Sequence, residues 1–226
     1  MNLALIFDMD GLLIDSEPLY QKTEKKILAD FGVEDFSILD EAFGMKNEEA
    51  FAMYVERLDL PADPDDLLNR CREQMLILFE EELQLMPHAL TCLEAFHRKG
   101  HPMALASGSM RVLLNAATSR FGLEKYFPVM VSGDDVQRGK PDPEIFLLAA
   151  ARLGVKPGDC LVFEDAVHGV TAAKAAGMYC VAVPNPRVPR ERFVEADWIF
   201  EQLPPHPPDP LIPQGGEGES ERGNFG

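Results

Sequence analysis

LALIFDMDGLLIDSEPLY, residues 3–20, sets an apolar run against two aspartates two positions apart, Asp8 and Asp10, with a third, Asp15, five further on. The run from Leu3 to Phe7 is too short for a helix and shows no polar face, so it reads as a buried strand. Side chains two apart on an extended segment point the same way, so Asp8 and Asp10 can address one centre while Met9 faces elsewhere. Gly11 then lets the chain turn. Taken alone, D-x-D-G is also the signature of an ordinary solvated acidic turn.

Similar apolar runs recur at 103–106 (MALA), 129–131 (VMV), 161–163 (LVF) and 180–183 (CVAV). Amphipathic stretches lie between them, including Ala89 to Lys99 and Pro143 to Leu153, the latter opened by Asp142 as N-cap with Pro143 at the first helical position. Strand and helix in alternation imply an α/β fold, a doubly wound parallel sheet. One interval breaks the alternation. From Pro18 to about Leu83 there are only helical patterns, around Leu19 to Phe31, Asn47 to Leu58 and Asp65 to Phe79. An insertion after the first strand would overhang the crevice where such sheets bind ligands, so a helical cap is expected. The expected division is a core of residues 1–16 and 84–203, a cap of 17–83, and a tail of 204–226. That tail is rich in Pro, Gly and Glu, and is expected to be disordered.

Composition narrows the partners. A 46% hydrophobic content fits a globular chain, and a formal net charge of −17 opposes binding to nucleic acid or an anionic membrane. No apolar run approaches the roughly 18 residues of a membrane span, and the start has no basic leader. The four cysteines, Cys71, Cys92, Cys160 and Cys180, form no C-x-x-C pair and read as reduced, buried thiols. A cytoplasmic protein, monomeric or weakly dimeric, is expected.

Further candidates stand at the other strand ends. MALASGS places Ser107 and Ser109 after the second strand, and a helix starting just beyond Ser107 would offer free N–H groups to an anion. An ordinary serine N-cap is the commoner use of such a residue. GKPDP places Lys140 before a proline-stiffened helix start, where a surface lysine is the usual reading. LVFEDAVHG adds adjacent carboxylates, Glu164 and Asp165, after the fourth strand. The set outweighs its members: one cation, one hydroxyl and four carboxylates on one sheet edge balance in charge only with phosphate and a divalent metal present.

DMDGLLIDS, LASGS, GKPDP and FEDAVHG resemble, in order and content, the four motifs of the haloacid dehalogenase superfamily. The helical insertion after the first motif and the ending DSEPLY resemble the β-phosphoglucomutase-like subgroup, which includes sugar-phosphate phosphatases and pseudouridine-5′-phosphatase. The resemblance covers about residues 1–203. It implies that Asp8 is the nucleophile that becomes aspartyl-phosphate, and that Asp10 protonates the leaving alcohol and later activates water. It also implies Mg²⁺ held by Asp8, the Asp10 carbonyl and Asp165, with Glu164 as a further or water-mediated ligand. Lys140 and Ser107, with Gly108 beside it, would bind the phosphoryl group. The implied activity is Mg²⁺-dependent hydrolysis of a small phosphorylated metabolite, a sugar or polyol phosphate.

Two rivals remain at this stage. A phosphosugar mutase shares the four motifs, but mutases of the subgroup typically carry histidine where this chain has Tyr20 and a cap-loop arginine where FGMKNEE has Asn47 beside Lys46. A catalytically silent binding protein on the same fold should have lost Asp8, Asp10, Lys140 or Asp165, and all four are present. Substrate recognition is expected from the cap loop at Gly44, Met45, Lys46 and Asn47, and from Tyr20. His168 reads as an exposed residue near a helix start.

Overall fold

The computed structural model describes residues 3–43, 45 and 47–205. Gly44, Lys46, His206 and most of the proposed tail lie outside the described residues. Five strands coincide with the apolar runs to within a residue or two: β1 (Ala4–Phe7), β2 (Met103–Ala106), β3 (Val129–Val131), β4 (Cys160–Glu164) and β5 (Tyr179–Ala182). A two-residue edge strand, β6 (Trp198–Ile199), joins them and is too short to leave a periodic signal. All pair in parallel, in the spatial order β3-β2-β1-β4-β5-β6. β1 and β4 are thus central neighbours, with Phe7 opposite Phe163.

Period-two alternation divides the core by sheet face. Leu5, Phe7, Leu105, Leu161 and Phe163 pack with the helical half of the molecule. Here Phe7 and Phe163 stack at 4.7 Å between centroids, with Phe96 beside them. Ala4, Ile6, Ala104, Ala106 and Val162 line the opposite face, where small residues admit α7 (Glu144–Leu153) and α8 (Val167–Ala175) close to the backbone. α7 starts one residue later than its sequence suggests. Asp142 nevertheless fills the capping role, its Oδ1 accepting from the Glu144 N–H at 3.0 Å. α5 (Ala89–Arg98) leads into β2, and α6 (Arg111–Phe121) leads out of it.

The interval between β1 and α5 holds four helices: α1 (Glu17–Ala29), α2 (Ile38–Ala42), α3 (Asn47–Arg57) and α4 (Pro64–Glu81). The five-residue α2 is too short for the amphipathic pattern that reveals the others. α4 begins on Asp63, which caps the Asp65 N–H at 2.9 Å, with Pro64 at the first position. Its buried stripe of Leu67, Cys71, Met75 and Phe79 repeats every fourth residue and packs on α1, α3 and α6. The chain enters and leaves this interval side by side. Ile14 bridges Leu85, the Asp15 N–H donates to the Gln84 carbonyl at 3.0 Å, and the Met86 N–H to the Leu13 carbonyl at 2.9 Å.

Candidate active site

The carboxyl edge of the sheet carries the site because four strands end there together. Asp8 directly follows β1, its N–H donating to the Phe163 carbonyl at 3.0 Å. Ser107 follows β2, its N–H donating to the Val131 carbonyl at 3.0 Å. Glu164 closes β4 and Asp165 follows it. Lys140 comes from the loop after β3 and spans the gap between neighbours. Its Nζ donates to Asp8 Oδ1 at 2.5 Å, to Glu164 Oε1 at 2.6 Å and to the Ala106 carbonyl at 3.3 Å.

Asp8, Glu164 and the Lys140 ammonium are buried, with side-chain exposures of 8%, 1% and 13%. Burial therefore sets their electrostatics. It pushes the Asp8 carboxyl up to about 7, with Glu164 and Asp10 adding to the rise and Lys140 opposing it. Asp165 is also raised well above the usual carboxylate range, by burial first and then by Glu164 and Asp8. The Lys140 ammonium is held above its usual range, because Asp8 and Glu164 outweigh the cost of burying it. Glu164 accepts further from the Ala166 N–H at 2.9 Å. Gly169 stands so close that any Cβ there would strike the Glu164 carboxylate, and a Cβ at Gly11, whose φ is +76°, would strike Asp165.

Asp10 lies beside this group, gripped by three hydroxyls. Ser16 Oγ donates to its Oδ1 at 2.8 Å, while Ser107 Oγ and Ser109 Oγ donate to its Oδ2 at 3.0 and 2.8 Å. Ser107 Oγ also accepts from the Ser109 N–H at 3.0 Å. The expected helix start just beyond Ser107 is corrected: α6 begins at Arg111, whose N–H donates to Asp134 Oδ2 at 2.8 Å. Residues 107–110 instead form the turn that lets Ser107 and Ser109 reach Asp10.

The cap closes the other side of a cleft of about 1010 Å³ that includes Asp8, Asp10, Gly108, Lys140, Glu164 and Asp165 in its walls. Tyr20 and Asn47 also line it. The Tyr20 hydroxyl interacts with Ser109 and Asn47, and its pKa is raised by burial and by Asp10. His168 is exposed at the start of α8 and reaches the same wall. Arg187, beyond β5, gave no sequence signal. It meets cap residues Glu17 at 3.3 Å and Asp40 at 2.7 Å, and its guanidinium lies 4.1 Å from the Phe43 ring centre. Ser16, Ser109, Glu24, Tyr54 and Arg72 were likewise not singled out as site residues; the repeat of serine two positions after Ser107 was the available hint.

Among the described residues no group of three His, Cys, Asp or Glu side chains forms a ready-made metal cage. The local donors are all oxygens, and several buried carboxylates face one ammonium. That chemistry fits Mg²⁺, which keeps several waters and takes only one or two carboxylates.

A family model described as haloacid dehalogenase-like hydrolase matches residues 3–177. The chain belongs to this family. A probable pseudouridine-5′-phosphatase of Drosophila melanogaster is 39% identical over 211 residues, covering 90% of this chain and 91% of the relative. A phosphorylated carbohydrates phosphatase of Thermotoga maritima is 38% identical, covering 77% and 82%. Among solved structures, CbbY from Rhodobacter sphaeroides in complex with phosphate superposes with a TM-score of 0.80 at 28% identity, covering 90% of this chain and 95% of that one. A putative β-phosphoglucomutase from Thermotoga maritima gives 0.76 at 34% identity with the same coverage. The family's chemistry is hydrolytic, and no described helix is long and apolar enough to cross a membrane.

Proposed function

We propose that this phosphatase removes the phosphoryl group from a small phosphorylated metabolite, a sugar or polyol phosphate, through an aspartyl-phosphate on Asp8. The observation that carries the reading is Lys140 bridging Asp8 and Glu164, with Asp10 held beside them. An Asp8 oxygen attacks phosphorus as the bond from phosphorus to the ester oxygen breaks, and Asp10 supplies the proton to the leaving alkoxide. Asp10 then takes a proton from water as that water attacks the phosphoenzyme, releasing phosphate and regenerating Asp8. Lys140 keeps the nucleophile oriented and offsets charge on the group in flight. Ser107 and Gly108 contribute to the phosphoryl cradle. Mg²⁺ held by Asp8, the Asp10 carbonyl and Asp165, with Glu164 supporting, would neutralise the phosphoryl oxygens.

The proposed domain division is a core of 1–16 and 84–203 and a cap of 17–83. The paired crossings at Ile14–Asp15 and Gln84–Met86 serve as its hinge. Closure excludes bulk water, with Tyr20, Lys46 and Asn47 meeting the substrate. We place the enzyme in the cytoplasm.

A mutase is the second reading, favoured by the putative β-phosphoglucomutase among the structural neighbours. Tyr20 and Asn47, where mutases of the subgroup typically carry histidine and arginine, weigh against it. Phosphate release is measured with Mg²⁺ and with EDTA over sugar, polyol and nucleoside monophosphates, alongside β-glucose 1-phosphate with a bisphosphate primer. Metal-dependent release that disappears in Asp8→Asn is expected. Isomerisation with little phosphate released would establish the mutase, and turnover by Asp8→Asn at the wild-type rate would sink the mechanism.

A further inference from the structure

The cap wall opposite Asp8 contains polar groups that the proposed phosphoryl chemistry does not use. Glu24 of α1, Tyr54 of α3 and Arg72 of α4 all line the cleft. Tyr54 is 0% exposed. Its hydroxyl and the Arg72 Nε are the buried side-chain polar atoms left without a hydrogen-bond partner among the described residues. Buried polar groups are almost always satisfied, and each orphan costs roughly 1–3 kcal/mol. Two orphans on one wall of a substrate-sized cleft indicate that something else completes them. Glu24 faces Tyr54, and burial, reinforced by Glu17, pushes its carboxyl up to about 7.

We infer that Glu24, Tyr54 and Arg72 form a subsite for the distal, hydroxyl-bearing end of an uncharged leaving group. The inference rests on the phosphatase reading and names its substrate class. The subsite offers a donor in Arg72 Nε, an acceptor in Glu24, and a hydroxyl in Tyr54 that serves either way, which is the pattern adjacent alcohol groups require. Its one carboxylate and one guanidinium leave no surplus positive charge. Glu17, Glu41, Glu48 and Glu49 add acid around the same wall. A second phosphate or a carboxylate on the leaving group would therefore be repelled, whereas a neutral polyol or sugar would be retained.

The test compares kcat/KM for sorbitol 6-phosphate with that for p-nitrophenyl phosphate, whose leaving group carries no alcohol, in wild type, Tyr54→Phe and Arg72→Gln. Each variant is expected to lower the ratio of the two constants three- to tenfold, the size of one hydrogen bond to an uncharged partner. Tyr54→Phe keeps the ring and removes an unsatisfied hydroxyl, so its Tm is expected to stay level or rise. That gain separates a binding role from a structural one. An unchanged ratio in both variants, or equal losses on both substrates with a lower Tm, would overturn the inference. Wild type that cleaves p-nitrophenyl phosphate but no polyol phosphate would overturn it while leaving the phosphatase reading standing. Wild type that cleaves neither would overturn both.

Discussion

Replacing Lys140 by methionine keeps the apolar stem and deletes the ammonium that pairs with Asp8 and Glu164 at 2.5 and 2.6 Å. Both carboxylates are buried, so the variant strands charge that water cannot reach. Breaking a buried pair from one side costs about 3–5 kcal/mol. In a domain of this size each kcal/mol lowers Tm by roughly 2–4 °C, which predicts a fall of roughly 6–20 °C at pH 8. The loss must also depend on pH. In the wild type burial raises the Asp8 carboxyl to about 7 although Lys140 opposes the rise, and without Lys140 it rises further. A carboxyl whose pKa is raised on folding binds more protons in the native state between its unfolded value, near 4, and its folded one. Stability contributed by such a group therefore falls as pH rises through that window. The variant should lose most at pH 8 and least at pH 5, where a proton replaces the missing ammonium. Mg²⁺ should restore part of the loss at pH 8. Thermal unfolding of wild type and variant at both pH values, with and without Mg²⁺, reads all three effects. A loss below about 1 kcal/mol at pH 8, or one equal at both pH values, would refute the buried-pair argument. Turnover should fall by roughly 10²–10³ at either pH, the usual cost of removing a donor aimed at transition-state charge.

Two further substitutions probe what surrounds the ion pairs. Gly169→Ala places a methyl against the Glu164 carboxylate, which cannot move without releasing Lys140 and the Ala166 N–H. The expected loss is roughly 2–4 kcal/mol in urea unfolding, together with lower activity; wild-type behaviour would show that Glu164 has room to shift. Arg187→Ala removes two exposed ion pairs and the stacking on Phe43 that join the loop after β5 to the cap. Such contacts are weak individually, so KM is expected to rise roughly three- to tenfold while global stability moves by less than about 1 kcal/mol. Unchanged KM at low and high salt would remove Arg187 from cap closure.

Much of the architecture was legible locally. Strands buried on both faces need continuous apolar runs, which is why LALIF, MALA, VMV and LVF announce themselves. The long helices α3 and α4 carry their caps and periodic stripes in the sequence, whereas α2 and β6 are too short to hold a period. The turn at residues 107–110 was misplaced because a serine after a strand reads as a helix cap when its long-range partner is unseen.

The sequence by itself determined which residues stand at the strand ends, because that information lies within a few residues of each apolar run. Only the tertiary structure decided what those residues meet. β4, which is remote in sequence, lies directly beside β1, and this order brings Asp8, Lys140 and Glu164 into one buried group. The same packing lets serines of two distant segments hold Asp10, and it leaves Tyr54 and Arg72 with unsatisfied atoms on the cap wall. These contacts depend on sheet order and on the seating of the cap, both products of burial summed over the whole chain, and no local spacing encodes them.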